Sequence, residues 1–111
     1  MSSPDAMNDA FQALARRAWE SNRARAAELN DVLAQWRGAG ELTDEQRERG
    51  RAVAHSLRGS AGTFGHDRAA DLATELEELL VATAEEPELA VVQGLVEQID
   101  AALAAAPEVE F

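Results

Sequence analysis

The sequence predicts an all-α protein, an antiparallel up-down four-helix bundle that gains an extra N-terminal helix if its first segment is broken. Three observations lead to this fold class. Alanine, leucine, glutamate and arginine dominate the composition, and β-branched residues are sparse. Apolar residues recur at helical spacing in four long segments. The connections between these segments are short, which favours antiparallel neighbours.

The first segment begins at Ser3-Pro4, because a serine cap followed by a proline is typical of a helix start. One apolar face then follows at helical spacing: Met7, Phe11, Leu14 and Ala18. The stripe continues from Leu29 to Trp36. Ser21-Asn22 either divides the segment into two helices or faces solvent within one, and both alternatives stay open. Gly38 to Gly40 is predicted to be a turn.

Thr43 and Gln46 open the second helix, since their spacing is that of a capping box. The inward-facing positions of this helix are predicted to be Ala54, Leu57, Ala61 and Phe64. A separate face is predicted to carry His55, Arg58, Gly59 and Gly62. Gly65 is predicted to end the helix in the left-handed conformation that glycine adopts readily.

Asp67 is predicted to cap the third helix, whose core stripe is Leu72, Leu76, Leu79 and Leu80. A break follows from Thr83 to Pro87, and the proline is placed in the first turn of the fourth helix. The core residues of that helix are predicted to be Val92, Leu95, Val96, Ile99 and Leu103. We expect a single domain over residues 1–111, in which residues 107–111 form a loose tail.

The composition excludes several kinds of function. The chain has no cysteine, which removes disulfides, thiolate zinc sites and cysteine nucleophiles. Its formal net charge of −11 at pH 7 repels nucleic acid and anionic lipid and favours a monomer. The N-terminus lacks the basic start of a signal peptide, and no apolar stretch approaches the roughly 20 residues that span a bilayer. We therefore expect a cytoplasmic protein without nucleic-acid or membrane partners.

His55 is the main candidate for chemistry, because three glycines follow it within ten residues: Gly59, Gly62 and Gly65. A glycine inside a helix costs about 1 kcal/mol relative to alanine. This segment is therefore expected to need bare backbone beside the imidazole, where a large partner approaches. A neutral imidazole nitrogen is nucleophilic near pH 7 and accepts phosphoryl groups well. Arg58 and, as a further candidate, Arg51 supply positive charge for phosphoryl oxygens from the same helix.

Glu77 is the candidate that orients the imidazole. It lies 12 residues after the turn at Gly65, and His55 lies 10 residues before that turn, so an antiparallel return places the two opposite each other. A carboxylate there accepts a hydrogen bond from the distal ring N–H and fixes the tautomer.

The stretch around His55 resembles the histidine phosphotransfer (Hpt) domain of bacterial two-component phosphorelays. The family's motif is a histidine, any residue, a small or apolar residue, a lysine or arginine and a glycine, with another glycine six residues further. Here it reads His55-Ser56-Leu57-Arg58-Gly59, then Gly65. Ala54 and Leu76-Glu77 also match the family. The stretch as a whole is especially similar to the phosphoacceptor domain of the chemotaxis histidine kinase.

The resemblance implies a phosphoryl carrier, not an enzyme with its own small-molecule site. It implies that His55 accepts a phosphoryl group from a receiver-domain aspartate and passes it to another receiver. Arg58 stands where the family usually has a lysine that contacts the phosphoryl group. The implied partners are response-regulator receiver domains or a hybrid histidine kinase. Mg²⁺ belongs to the receiver, so no cofactor or metal is expected on this chain.

Two features depart from the chemotaxis kinase. Its phosphoacceptor domain carries a second histidine on the facing helix, where this chain has Thr74. The ATP-binding and coupling domains of that kinase have no counterpart in this sequence, so a free-standing carrier is the better match.

Other functions stay open on the sequence alone. A binding module of the same fold would sequester a receiver or kinase without accepting phosphate. A structural or oligomerising bundle would leave Gly59 and Gly62 unexplained. A metalloenzyme would need a third ligand beside His55 and His66, and none has suitable spacing. His66 is interpreted as a loop residue.

Some of the singled-out residues have plain structural alternatives. The alternative for Glu77 is that it is only a solvated carboxylate on an acidic helix. The alternative for Arg51 is an ion pair with Glu45 or Glu48. The large aromatic residues are interpreted as helix-packing residues, or as a docking patch where exposed: Phe11, Trp19 and Trp36.

Overall fold

A computed structural model describes residues 4–81 and 85–106, and these residues form an all-helical bundle without strands. The four helices of this part are α1 (Pro4–Ala39), α2 (Asp44–Thr63), α3 (Asp67–Leu79) and α4 (Leu89–Ala102). The all-α prediction is thereby confirmed. The predicted cap at Ser3, the start of the break at Thr83 and the predicted tail at 107–111 lie outside the described residues. Within the described ranges, none of the helices combines the length and the apolarity needed to cross a bilayer.

The first segment is one helix of 36 residues, so the described chain contains neither a break at Ser21-Asn22 nor an extra N-terminal helix. Asn22 does not face solvent either, because its side chain is fully buried on the bundle side of α1. Its Oδ1 accepts a hydrogen bond from Nη1 of Arg25 at 2.8 Å. This bond satisfies the amide oxygen, whereas Nδ2 has no hydrogen-bond partner among the described residues.

The predicted apolar face of α1 packs only in part. Met7 and Leu14 are 65% and 51% exposed, whereas Ala15 is buried. Helix α1 is about 54 Å long and α2 only about 30 Å, so α2 cannot cover α1 along its whole length. The C-terminal end of α1 also differs from the prediction. Gly38 is still helical, and the connection to α2 begins only at Gly40, which has a φ of +78°.

Helix α2 has a defined cap at each end. Thr43 Oγ1 accepts a hydrogen bond from the Gln46 N–H at 3.2 Å. The reciprocal half of the capping box is not formed, because no described residue donates to Gln46 Oε1. At the other end Gly65 has the predicted left-handed conformation with a φ of +89°, and the His66 N–H donates to the Ala61 carbonyl at 2.9 Å. The two caps set where α2 begins and ends.

The predicted starts of α3 and α4 are each displaced. Asp67 is the first residue of α3 and not its cap, because the His66 carbonyl already accepts the first helical hydrogen bond. Pro87 does not lie in the first turn of α4. Glu88 follows it in an extended conformation and is the cap residue, so helical bonding begins only after Glu88.

The core between the helices consists of alanine and aliphatic side chains. Most of the residues predicted to face inward in the last three helices are buried: Ala54, Leu57, Ala61, Leu72, Leu76, Leu80, Val92, Leu95, Val96, Ile99 and Leu103. Leu79 is only partly buried but packs against this core. Each of these helices therefore presents the face that its periodicity predicts.

The aromatic side chains join helices to one another. Trp36 is buried in the core. The rings of Phe11 and Phe64 lie 5.9 Å apart, which links α1 to the end of α2. Trp19 Nε1 donates to the Leu103 carbonyl at 2.8 Å and links α1 to the end of α4. Phe64 is half-buried and not fully inward-facing, because it follows the last helical residue of α2.

Neighbouring helices contact one another in a closed ring. Helix α2 lies next to α1 and α3, and α4 lies next to the same two helices, while the backbones of α2 and α4 do not approach each other closely within the described residues. Helices α2 and α4 therefore lie diagonally across the bundle. A residue on the outer face of α2 is open to solvent and remote from α4.

Replacing Thr43 by alanine should lower the free energy of unfolding by about 1 kcal/mol, since the N-cap acceptor of α2 is lost. Urea unfolding followed by circular dichroism measures this change. Thr43→Ser is the matched control, because it keeps the hydroxyl and should retain nearly all of the stability. Equal midpoints for the two variants would contradict a capping role.

Candidate functional site

His55 lies on the outer face of α2, and its side chain is 59% exposed. Residues three, four and seven positions further on share this face and are also exposed: Arg58, Gly59 and Gly62. Ala54 and Leu57 on the opposite face are fully buried and hold α2 against the core. The packing of α2 therefore turns the imidazole outward, where another protein can reach it.

Glu77 on α3 holds the imidazole from the side. Its Oε2 lies 2.8 Å and its Oε1 3.2 Å from Nδ1 of His55. An ionised carboxylate only accepts hydrogen bonds, so we infer that Nδ1 carries the proton and donates it. In the neutral ring Nε2 is then unprotonated and nucleophilic. No described residue forms a hydrogen bond with Nε2.

The position of Glu77 follows from the packing of α3. Leu76, the residue before it, is fully buried and anchors α3 in the core. The Glu77 side chain is only 15% exposed, because it lies in the groove between α2 and α3. A carboxylate with so little exposure needs hydrogen-bond donors, and it finds them in His55 and Arg58.

Arg58 lies one turn after His55 and contacts the same carboxylate. Its Nη1 is 3.3 Å from Glu77 Oε1, and its side chain is 45% exposed. Glu77 thus bridges an imidazole and a guanidinium. This bridge was not predicted from the sequence, although the i, i+3 spacing of His55 and Arg58 places both side chains on one face of α2. The contact keeps the positive charge of Arg58 beside the ring.

Arg51 is held by Glu48. Its Nε and Nη2 donate to the two carboxylate oxygens of Glu48 at 2.8 and 2.7 Å. This paired hydrogen bond is the main cause that lowers the pKa of Glu48 and raises the pKa of Arg51, and the charge of Glu77 adds a smaller rise for Arg51. Arg51 makes no hydrogen bond with His55 or Glu77 among the described residues. The alternative in which Arg51 pairs with Glu48 is the one observed.

The glycines of α2 differ in what surrounds them. A methyl group added at Gly59 would meet nothing within 4 Å, and one added at Gly62 would meet Ala70 at an ordinary contact distance of 3.7 Å. Gly50 is different, because a methyl group there would lie 3.1 Å from Leu80 Cδ1. Gly50 therefore serves the packing of α2 against Leu80, whereas internal packing does not require Gly59.

The other residues considered from the sequence lie apart from His55. His66 is in the turn between α2 and α3, as predicted, and its Nε2 lies 3.2 Å from the Ala105 carbonyl oxygen. Thr74 donates its hydroxyl to the Ala70 carbonyl of its own helix. In residues 4–81 and 85–106, no three histidine, aspartate or glutamate side chains are grouped so that they could hold a metal ion.

Fold and site together define a helical bundle that carries an exposed imidazole oriented by a carboxylate. The family model of the Hpt domain matches residues 13–108, nearly the whole chain. The chain therefore belongs to the Hpt domain family. Hpt domains are phosphocarrier modules that act in histidine phosphotransfer with receiver domains and kinases of phosphorelays. No curated protein and no solved structure gives a significant match to this chain.

Replacing Glu77 by alanine should move the neutral His55 ring towards the Nε2–H tautomer, because the acceptor for the Nδ1 proton is removed. The ¹⁵N chemical shifts of the ring report the tautomer when they are recorded at a pH where the spectrum shows the neutral ring. Glu78→Ala is the matched control, since Glu78 is the exposed neighbour on the same helix. An unchanged ring spectrum in Glu77→Ala would exclude Glu77 as the orienting group.

Proposed function

We propose that this chain carries phosphoryl groups in a His–Asp phosphorelay. In this proposal His55 accepts the group on Nε2 from the aspartyl phosphate of one receiver domain and passes it to the aspartate of another. Family membership supports the general activity. The observation that carries the assignment to His55 is its 2.8 Å contact from Nδ1 to Glu77, made by a ring that is otherwise exposed.

The proposed fold is the antiparallel up-down form of the bundle. Two contacts between α2 and α3 support it. Gly62 lies against Ala70 close to the connecting turn, and His55 meets Glu77 farther from that turn. This order is expected of two helices that run in opposite directions.

The first transfer is an in-line displacement at phosphorus. The lone pair of Nε2 forms the N–P bond while the P–O bond to the receiver aspartate breaks, and the aspartate leaves as a carboxylate with the bonding electron pair. The ring keeps its proton on Nδ1 and donates a hydrogen bond from it to Glu77. The negative charge of Glu77 stabilises the positive charge that develops on the imidazole. Transfer to the second receiver is the same step in reverse.

Arg58 is proposed to contact the phosphoryl oxygens. Its Nη1 is engaged with Glu77, and the planar guanidinium has further N–H donors for an anion bound at Nε2. Arg51 is less suited to contact the phosphoryl oxygens, because two of its nitrogens already donate hydrogen bonds to Glu48.

The chain itself contributes the nucleophile and a docking surface. Mg²⁺ and the acidic groups that bind it are assigned to the receiver partner, so no cofactor of this chain takes part. The bare backbone at Gly59 lets a partner approach the imidazole closely. Exposed apolar side chains on α1, Met7 and Leu14, add contact area of the kind that protein partners cover.

Incubation with a phosphorylated receiver should place acid-labile label on the wild-type chain and none on His55→Gln, because the nucleophile is removed. His66→Gln is the matched control and should accept label fully, since His66 lies in the turn between α2 and α3. Label retained by His55→Gln would exclude His55 as the acceptor. Receiver binding by the wild type without any label would favour the sequestering module instead.

The change of Gly59 to alanine should raise the free energy of unfolding by up to about 1 kcal/mol, because alanine is the better helix former and its methyl group meets no atom of the chain. The same variant should slow phosphoryl transfer about tenfold, the effect of roughly 1.4 kcal/mol of lost docking.

Gly94→Ala is the matched control for this pair of measurements. Gly94 is also inside a helix with open space around it, but it lies on α4. It should gain stability and keep the wild-type transfer rate. Wild-type transfer by Gly59→Ala would contradict the role assigned to the bare backbone.

A further inference from the structure

Charge is unevenly divided between two halves of the bundle. We call residues 4–63, which contain α1 and α2, the α1/α2 half, and residues 64–106, which contain α3 and α4, the α3/α4 half. The α1/α2 half carries nine arginines and nine acidic residues, so its formal charge is zero. The α3/α4 half carries one arginine and ten acidic residues, a formal charge of −9. The negative charge of the bundle therefore lies on one side of it.

Three carboxylates of the α3/α4 half form a line on the outward side of α3. Asp71, Glu75 and Glu78 follow one another at i, i+4 and i+7, and all three are exposed. None of them has an ion-pair partner among the described residues. Arg68, the one arginine of this half, donates to the amide oxygen of Gln98. We call these three carboxylates the α3 stripe.

The α3 stripe is close to the imidazole of His55. It shares its helix with Glu77, which lies 2.8 Å from Nδ1 of that ring. Given the width of an α-helix and the spacing of packed helices, the stripe carboxylates are roughly 10–15 Å from the ring. Charges at this separation interact strongly at 0.01 M salt, where the Debye length is about 30 Å, and weakly at physiological salt, where it is about 8 Å.

The arginines beside His55 do not cancel the charge of the α3 stripe. Arg58 is paired with Glu77, and Arg51 is paired with Glu48. Each pair has no net charge, although Arg58 keeps N–H donors for a phosphoryl group that has already arrived. An anion that approaches the exposed Nε2 of His55 from solution therefore meets a net repulsion from α3.

We propose that the α3 stripe makes His55 selective among phosphoryl donors, an inference that rests on the proposed transfer to this residue. Free anionic donors, such as acyl phosphates that no protein holds, are repelled and react slowly. A receiver presents its aspartyl phosphate together with Mg²⁺, and the charge of this ion compensates that of the phosphoryl group. The chain thereby receives its phosphoryl group from a protein partner and not from small anions in solution.

Two small donors of different charge can test the repulsion. With acetyl phosphate, Nε2 of His55 forms the N–P bond while the P–O bond breaks, and acetate leaves with the bonding electron pair. With phosphoramidate, the P–N bond breaks and ammonia leaves with that pair. Phosphoramidate carries less net negative charge at neutral pH, because its nitrogen is protonated. A repulsion by the α3 stripe must therefore slow acetyl phosphate more than phosphoramidate.

The test compares the wild type with the triple variant Asp71→Asn, Glu75→Gln, Glu78→Gln, and ³¹P NMR measures the initial rate of phosphohistidine formation at low salt. The variant should react about fivefold faster with acetyl phosphate and about twofold faster with phosphoramidate, because three repulsive charges are removed. Added salt should speed the wild type and remove the difference between the two proteins. Transfer from a phosphorylated receiver should be equally fast for both.

The matched control is the triple variant Asp5→Asn, Asp9→Asn, Glu97→Gln. It removes the same charge from exposed positions far from His55, because Asp5 and Asp9 lie at the start of α1 and Glu97 lies on α4, diagonally across from α2. Its rate with acetyl phosphate should rise less than about twofold, since the repulsion falls with distance.

Three results would overturn the inference. One is the same rate with acetyl phosphate for the wild type and the α3 stripe variant. Another is an equal acceleration with both donors, which would indicate a changed structure around His55 and not a charge effect. The third is an α3 stripe variant that phosphoramidate labels but acetyl phosphate does not. If no donor labels His55, the receiver included, the proposed function itself is wrong, so the two failures can be told apart.

Discussion

The hydrogen bond between Nδ1 of His55 and Glu77 is the contact on which the site depends, and much of the bundle contributes to its geometry. The imidazole and the carboxylate come from different helices, so the bond forms only if α2 and α3 keep their relative position. Leu57 and Leu76, both fully buried, hold the two helices against a common core. The left-handed glycine at Gly65 connects them by a turn that leaves little freedom in their spacing.

Sharing the carboxylate between two donors has an electrostatic consequence. Glu77 is largely removed from water, and a charge in that position is costly unless it is paired. His55 and Arg58 both pair with it. Arg58 offsets part of the negative field at the imidazole, and in the proposed transfer it lies beside the phosphoryl group. The ring is thereby oriented by a carboxylate whose charge is partly compensated.

Much of this could be predicted from the sequence, because the signals are local. Three signals within and beside α2 predict that His55 faces outward: the helical period, the threonine cap and the glycine that follows the helix. None of them depends on another helix. What the sequence could not supply depends on tertiary packing. Helical periodicity marks Met7 as a core position, but its exposure depends on the relative lengths of α1 and α2. Asn22 is polar, and its burial on the bundle side of α1 cannot be deduced from α1 alone. The sequence offers Glu45 and Glu48 as partners of Arg51. Only the coordinates show that Glu48 is the partner.

The eleven residues from His55 to Gly65 set the direction in which the imidazole points from α2. Each residue of an α-helix advances the chain by about 100° around its axis, as 3.6 residues complete a turn. One residue added or removed between His55 and the glycine would rotate the imidazole away from α3 by that angle, even if every other contact of the core were kept. A change of length within that stretch therefore separates the imidazole from Glu77 even where the helices themselves still form.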